Sequence, residues 1–134
     1  MRIGICLFVF FSAFISGYSQ KSNNQEFDLV KERVSKTFFV KPLEALDDAY
    51  VLKKIAKTDL QIVTAYKYLG YIYDLTGNSD SARFYFTNEL YFAKKNFYKD
   101  EIHYQAVINY CNWGLNYVDG KVIVKELTEA LDII

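Results

Sequence analysis

The stretch "YKYLGYIYDLTGN", Tyr66 to Asn78, places two glycines in a segment otherwise dominated by aromatic and aliphatic side chains. Gly77 precedes Asn78, at a place where a glycine in the left-handed conformation commonly ends a helix. Gly70 stands inside the same helical pattern, where glycine costs about 1 kcal/mol relative to alanine. A glycine kept at that cost indicates a crossing point, where any side chain would hold a partner helix away.

The pattern around Gly70 occurs twice in the chain. Four spaced residues of "YKYLGYIY" recur in "YCNWGLNY": Tyr66, Leu69, Gly70 and Tyr73 correspond to Tyr110, Trp113, Gly114 and Tyr117. The segments that follow also repeat, with Ala45, Ala49 and Ala56-Lys57 matched by Ala82, Phe86 and Ala93-Lys94. Self-similarity at a period of about 20–50 residues, as seen here, is typical of repeat architectures.

Helices are predicted throughout, because apolar residues recur at spacings of three and four and Pro42 is the only proline. The predicted helices span 26–39, 42–57, 59–75, 79–96, 101–118 and 122 to the end. Pro42 fits the first turn of the second helix, and Thr58 or Asp59 can cap the third. The side chains predicted to face inward from the first two helices are Phe27, Val30, Val34 and Phe38, then Leu43, Leu46, Ala49, Leu52 and either Ile55 or Ala56.

The repeated unit resembles the tetratricopeptide repeat family, a helix–turn–helix unit of about 34 residues. Six positions of the family pattern are occupied here, by Tyr66, Leu69, Gly70, Tyr73, Ala82 and Phe86. The family's final proline is replaced by Lys94, and the repeat spacing is longer than usual. The resemblance implies an all-α solenoid of about three stacked antiparallel hairpins, at approximately 26–57, 58–96 and 100–134. Its packing residues would be Tyr66, Leu69, Gly70, Tyr73, Ala82, Phe86, Tyr110, Trp113, Gly114 and Tyr117.

The first nineteen residues read as a cleaved signal peptide. Arg2 is followed by an apolar run from Ile3 to Ile15 and then by small and polar residues. That run is too short for a membrane span of about 20 residues and suits the apolar region of a signal of about 7–15. We expect cleavage after Ser19, a disordered leader at 20–25, and export to the bacterial periplasm. An uncleaved anchor and full secretion remain open alternatives.

The charge balance argues against a nucleic-acid partner, and the cysteines argue against stabilisation by an internal disulfide. The chain carries 16 Lys and Arg against 16 Asp and Glu, so no basic excess favours nucleic acid. Cys6 lies within the predicted signal, at a position unsuited to lipidation, which leaves Cys111 as the single thiol. No internal disulfide and no stable membrane insertion after signal cleavage are therefore expected.

The end of the chain is unusual for a solenoid. "KELTEALDII" stops at Ile134 inside an amphipathic pattern, without the polar capping helix that repeat arrays normally carry. Either this sequence is a piece of a longer protein, or a like subunit covers that end through self-association.

Candidate catalytic residues are few. His103 lacks the second histidine or cysteine pair of a metal site, and Cys111 lies within a predicted helix. The pairs Asp47-Asp48, Asp100-Glu101 and Lys94-Lys95 fit helix-end electrostatics better than acid/base chemistry. We expect no catalytic, cofactor or metal site.

The resemblance implies a function as a non-enzymatic binder of a peptide or protein segment. In the family, the first helix of each hairpin lines a concave groove. The groove positions here would be Thr64, Lys67, Tyr71 and Asp74, followed by Ile108, Cys111, Leu115 and Val118. Tyr71 is predicted to face a partner, although such rings can instead pack between layers. The alternatives are the N-terminal sensory part of a longer bacterial regulator and, from a different class, a small exported hydrolase or metal-binding protein using His103.

Overall fold

The computed structural model describes residues 23–117 and, further along, residues 124, 125 and 128. This part of the chain is all-α, as predicted, and its five helices are α1 (23–37), α2 (Pro42–Ile55), α3 (Asp59–Leu75), α4 (Ser79–Asn96) and α5 (Glu101–Tyr117). The predicted signal peptide, the first part of the leader, Val118 and most of the sixth helix lie outside the described residues.

Local sequence signals set the start of α2 and both ends of α3, as predicted. Pro42 occupies the first turn of α2. The Thr58 side chain accepts a hydrogen bond from the Gln61 backbone N–H at 3.2 Å, and the Gln61 side chain accepts one from Thr58 N–H at 3.2 Å. This capping box satisfies N–H groups that the first turn of α3 leaves without helical partners. Gly77 follows α3 with φ of 77°, a left-handed conformation that favours glycine.

Polar side chains also start α4 and α5. Asn78 Oδ1 accepts a hydrogen bond from Ser81 N–H at 3.1 Å, and Asp100 Oδ1 accepts one from Ile102 N–H at 3.0 Å. Lys94 and Lys95 lie in the last turn of α4, where positive charge favours the helix dipole. These contacts agree with the helix-end roles predicted for Asp100 and for the lysine pair.

Four expectations about the N-terminal half are corrected by the structure. Residues 23–25, assigned to a disordered leader, are helical, and Asn24 Oδ1 accepts a hydrogen bond from Gln61 Nε2 at 3.1 Å. The helix α1 therefore begins before Phe27, the first residue of its apolar stripe, and its first turn contacts α3. The α1 helix ends at residue 37 and α2 at Ile55, each two residues earlier than predicted. Leu43 is 72% exposed, because the buried face of α2 carries Ala45, Ala49 and Leu52, and a residue two positions before Ala45 lies on another side of the helix.

From α2 to α5, consecutive helices pack against one another, and α3 also contacts α5. The α3 helix is therefore central, with neighbours in α2, α4 and α5. The main buried apolar cluster draws on the first four helices and consists of Phe27, Val30, Val34, Ala45, Ala49, Leu52, Ala65, Leu69, Ile72 and Tyr85. A second cluster joins α4 to α5 and consists of Ala82, Phe86, Tyr110 and Trp113.

The α3–α4 crossing leaves no room for a side chain at Gly70, as the sequence indicated. A Cβ at this position would lie 2.5 Å from Cε1 and 2.6 Å from Cδ1 of Phe86. Most of the predicted packing residues are buried, namely Leu69, Gly70, Ala82, Phe86, Tyr110, Trp113 and Gly114, while Tyr66 and Tyr73 are partly buried. Tyr117 differs: it is 47% exposed and stacks on Trp113, because it lies in the last turn of α5.

Candidate functional site

Two adjoining cavities open along α3, one toward α4 and α5 and the other toward α1. The smaller has a volume of about 190 Å³ and is lined by Leu60, Val63, Thr64, Lys67, Glu89, Glu101, Ile102 and Gln105. The larger has a volume of about 620 Å³ and is lined by Asn24, Phe27, Asp28, Lys31, Thr58, Leu60, Gln61, Thr64, Lys67 and Tyr68. Leu60, Thr64 and Lys67 belong to both, so the two cavities share one wall, which α3 provides. We call the pair the inner groove.

Thr64 and Lys67, two of the predicted groove residues, form this shared wall. Thr64 lies one turn beyond Leu60 and its hydroxyl donates to the Leu60 carbonyl at 2.7 Å. Lys67 lies with its ammonium 5.2 Å from the centre of the Tyr68 ring. The helical spacing of three and four places Leu60, Thr64 and Lys67 on one face of α3.

Tyr71 does not present an open face in the groove. Its ring stacks on Phe38 at 5.7 Å between centroids and meets the edge of Phe86 at 5.6 Å. Its hydroxyl donates to Asn109 Oδ1, and burial raises the pKa of this phenol to about 12. The alternative of packing between layers therefore describes Tyr71 better than the predicted contact with a partner.

The other predicted groove positions among residues 23–117 lie outside the two cavities. Asp74 is half-buried and bonded to Tyr117, and burial raises the pKa of its carboxyl while that bond lowers it. Ile108 and Leu115 are exposed on α5, and Cys111 is partly buried between them. These three α5 residues share a surface beyond the lining of the inner groove.

A buried polar network closes the smaller cavity at α4. Asn109 Nδ2 donates to Glu89 Oε1 at 2.8 Å, and Asn109 Oδ1 accepts from both Tyr71 and Gln105, the latter at 3.0 Å. These bonds engage both the NH2 group and the carbonyl oxygen of the Asn109 amide and therefore fix its orientation. Glu89 and Asn109 are each 1% exposed.

Glu89 is the least satisfied member of this network. Within residues 23–117, its Oε2 has no hydrogen-bond partner. Burial raises the pKa of Glu89 to about 8, while the bond from Asn109 and the charge of Lys67 act in the opposite direction. The carboxyl is thus largely protonated at neutral pH.

Glu89 and Asn109 were not among the predicted site residues, yet the sequence carries a signal for both. Glu89 lies on the stripe Ala82, Phe86 and Ala93, at the helical spacing of a buried face. Asn109 lies beside Tyr110 on the buried stripe of α5. A carboxyl or amide on a core stripe needs a buried partner, and that requirement identifies polar sites.

The remaining candidate residues have structural contacts. His103 is buried, its Nδ1 accepts from Lys99 N–H at 3.2 Å, and its ring lies between Tyr98 and Tyr104. Burial raises the pKa of the Cys111 thiol, which lowers its nucleophilic thiolate fraction. Asp48 receives two hydrogen bonds from Arg33, at 2.6 and 3.1 Å, which join α1 to α2.

In the described residues, no cluster of three or more His, Cys, Asp or Glu side chains is arranged to hold a metal ion. Nor does any helix in that part of the chain combine the length and apolar character needed to cross a membrane. Comparisons with protein-family models, with curated proteins and with solved structures gave no match to this chain.

Proposed function

We propose that residues 26–134 form a helical repeat module of the tetratricopeptide type, which binds an extended peptide or protein segment in the inner groove. One observation supports this most strongly: the groove is lined mainly by α1, α3 and α5, the alternate helices of the chain. In stacked hairpins, the first helix of each unit contributes to one shared binding surface.

The chemistry of the lining suits a peptide. Leu60, Val63 and Phe27 offer apolar contact, and the amides of Gln61 and Gln105 offer both donors and acceptors. Ligand sites typically combine an apolar lining with a few placed polar groups. Within the groove, a main chain would find hydrogen-bond partners and its side chains would find apolar surface.

The test is selection of peptides from a random display library on the purified protein, followed by affinity measurement on two variants. Thr64→Trp places an indole on the wall shared by both cavities. Thr87→Trp makes the same substitution on an exposed position of α4 and serves as the matched control. We expect Thr64→Trp to abolish binding of the selected peptides and Thr87→Trp to leave it unchanged. Equal loss or equal retention in the two variants would place the binding surface elsewhere.

We also propose that the protein acts outside the cytoplasm, in a bacterial periplasm, on the basis of the N-terminal sequence. Fusion of residues 1–25 to a phosphatase that is active only after export tests this proposal. Mass spectrometry of the exported protein should give an N-terminus at Gln20. A cytoplasmic, uncleaved product would contradict the signal-peptide assignment.

A further inference from the structure

The smaller cavity of the inner groove contains a carboxyl group of which one oxygen is hydrogen-bonded and the other is not. Glu89 belongs to its lining and is 1% exposed, with Oε1 bonded to Asn109 Nδ2 and Oε2 without a partner in residues 23–117. Leaving a buried polar atom unpaired is unfavourable, so native proteins pair nearly all of them. A ligand that donates a hydrogen bond to Oε2 would remove this cost.

The size and the walls of the cavity suit one long side chain. Its volume of about 190 Å³ lies below that of pockets for drug-sized ligands, which have about 300–1,000 Å³. Leu60, Val63 and Ile102 provide apolar contact. Glu101 is exposed and Glu89 is buried, so one carboxylate lies at the open side of the cavity and the other in its interior.

The charges around Glu89 favour a cation. Among the described residues, Lys67 from α3 is the one cation in the lining, and its ammonium lies against the Tyr68 ring, part of the neighbouring cavity. Gln105 and Asn109 from α5 and Tyr71 from α3 are neutral groups near the carboxyl. With Glu89 ionised, the two carboxylates outnumber the lysine.

We propose that the smaller cavity receives a lysine side chain of the bound peptide, its methylene stem on Leu60, Val63 and Ile102 and its ammonium donating to Glu89 Oε2. This inference rests on the proposed peptide-binding function and names the residue that the groove selects. Lysine fits better than arginine, because a single available oxygen suits a point donor rather than a bidentate guanidinium.

Binding of lysine is coupled to a proton. Without a bound cation, Glu89 is mainly in its neutral form at pH 7, since burial raises its pKa to about 8. An ammonium beside the carboxyl favours the ionised form. Entry of the lysine side chain therefore releases a proton from Glu89, and affinity rises with pH up to about 8.

The experiment compares two probes, Nα-acetyl-lysine methylamide and its norleucine counterpart, which has the same stem and no charge. Binding is followed by NMR shifts of the side-chain amides of Gln105 and Asn109. Glu89→Gln removes the charge and keeps an acceptor for Asn109. Glu44→Gln makes the same change on an exposed position of α2 and is the matched control.

We expect the lysine probe to bind more tightly than the norleucine probe, and to lose about tenfold or more in affinity in Glu89→Gln. Glu44→Gln should retain the wild-type affinity for both probes. Between pH 6 and 8, affinity for lysine should rise in the wild type and stay constant in Glu89→Gln. Equal affinity for the two probes, or unchanged lysine binding in Glu89→Gln, would overturn the proposal.

A second measurement uses only the wild-type protein and therefore does not depend on folding of the variant. Calorimetric titration of the lysine probe in two buffers of different ionisation enthalpy at pH 7 should show release approaching one proton per bound probe. Release of no proton would contradict the role of Glu89. Selected peptides that lose affinity in Thr64→Trp but show no basic preference would refute the lysine cavity and leave the proposed function intact.

Discussion

The absent side chain at Gly70 leaves room for the ring of Phe86, which lies 2.5 Å from the position that a Cβ would take. Phe86 is fully buried, so its ring cannot move aside without displacing its neighbours. Tight packing of this kind makes interiors sensitive to the addition of even one carbon.

Gly70→Ala should therefore lower the free energy of unfolding. Overpacking costs about 1–3 kcal/mol, and the better helix propensity of alanine returns about 1 kcal/mol of that. Urea unfolding followed by circular dichroism measures the difference. In a Phe86→Leu background the same substitution should cost less, because the smaller side chain vacates the contact. An unchanged or increased stability of Gly70→Ala alone would show that the crossing tolerates a side chain.

Tyr71 leads to a prediction that separates its ring from its hydroxyl. Tyr71→Phe keeps the contacts with Phe38 and Phe86 but removes the hydrogen bond to Asn109, at an expected cost of about 0.5–1.5 kcal/mol. Tyr71→Ala also removes the ring and should cost about 2–4 kcal/mol. The exposed Tyr91 provides the control, since Tyr91→Phe should change stability by less than about 0.5 kcal/mol. If Tyr71→Ala melts like the wild type, the ring does not hold the layers together.

The start of α3 shows how much one helix end can connect. Gln61 Oε1 accepts from Thr58 N–H and from Lys57 N–H, while its Nε2 donates to Asn24 of α1. The capping box at the start of α3 is thereby linked to α1, and the whole of α2 lies between the two in sequence. The end of α2, the start of α3 and the first turn of α1 depend on this one side chain.

Thr58→Ala should destabilise the protein by about 1 kcal/mol, the usual effect of removing an N-cap. The same substitution at Thr87, exposed within α4, is the control and should be neutral or slightly stabilising because alanine has the higher helix propensity. Thermal unfolding of both variants makes the comparison. A Thr58→Ala melting temperature equal to that of Thr87→Ala would mean that the cap contributes nothing.

The whole molecule should respond to pH through Glu89. Its pKa of about 8 in the folded state lies above the ordinary value of 4.5, so folding favours the protonated form. Stability contributed by this proton is complete below pH 4.5 and declines as the pH rises toward 8, by at most about 1.4 kcal/mol per pH unit.

Glu89→Gln should therefore be more stable than the wild type by a margin that grows between pH 5 and 8. Denaturant unfolding at several pH values measures this difference, and subtraction of the two curves cancels the contributions of the titratable groups that both proteins share. Parallel curves would show that Glu89 titrates normally and that burial does not raise its pKa.

The sequence by itself determined the helices and much of their packing. Caps at Thr58 and Asn78, the glycine at 77 and apolar spacing act within a few residues of chain, so they can be read without knowledge of the fold. The close approach at Gly70 was also readable, because a mid-helix glycine among large side chains indicates a place where two helices touch. The resemblance to a repeat family predicted a groove along one face of α3, and two of the residues predicted for it, Thr64 and Lys67, line both cavities.

Only the tertiary structure decided what each side chain meets. Tyr71 lies on the predicted face of α3, yet Phe38 from the turn after α1, Phe86 of α4 and Asn109 of α5 converge on it and leave it only partly exposed. Three helices enclose the carboxyl of Glu89, and this burial raises its pKa and leaves Oε2 without a hydrogen-bond partner among the described residues. Burial and pairing depend on elements that are distant in sequence, and no local pattern specifies how they come together.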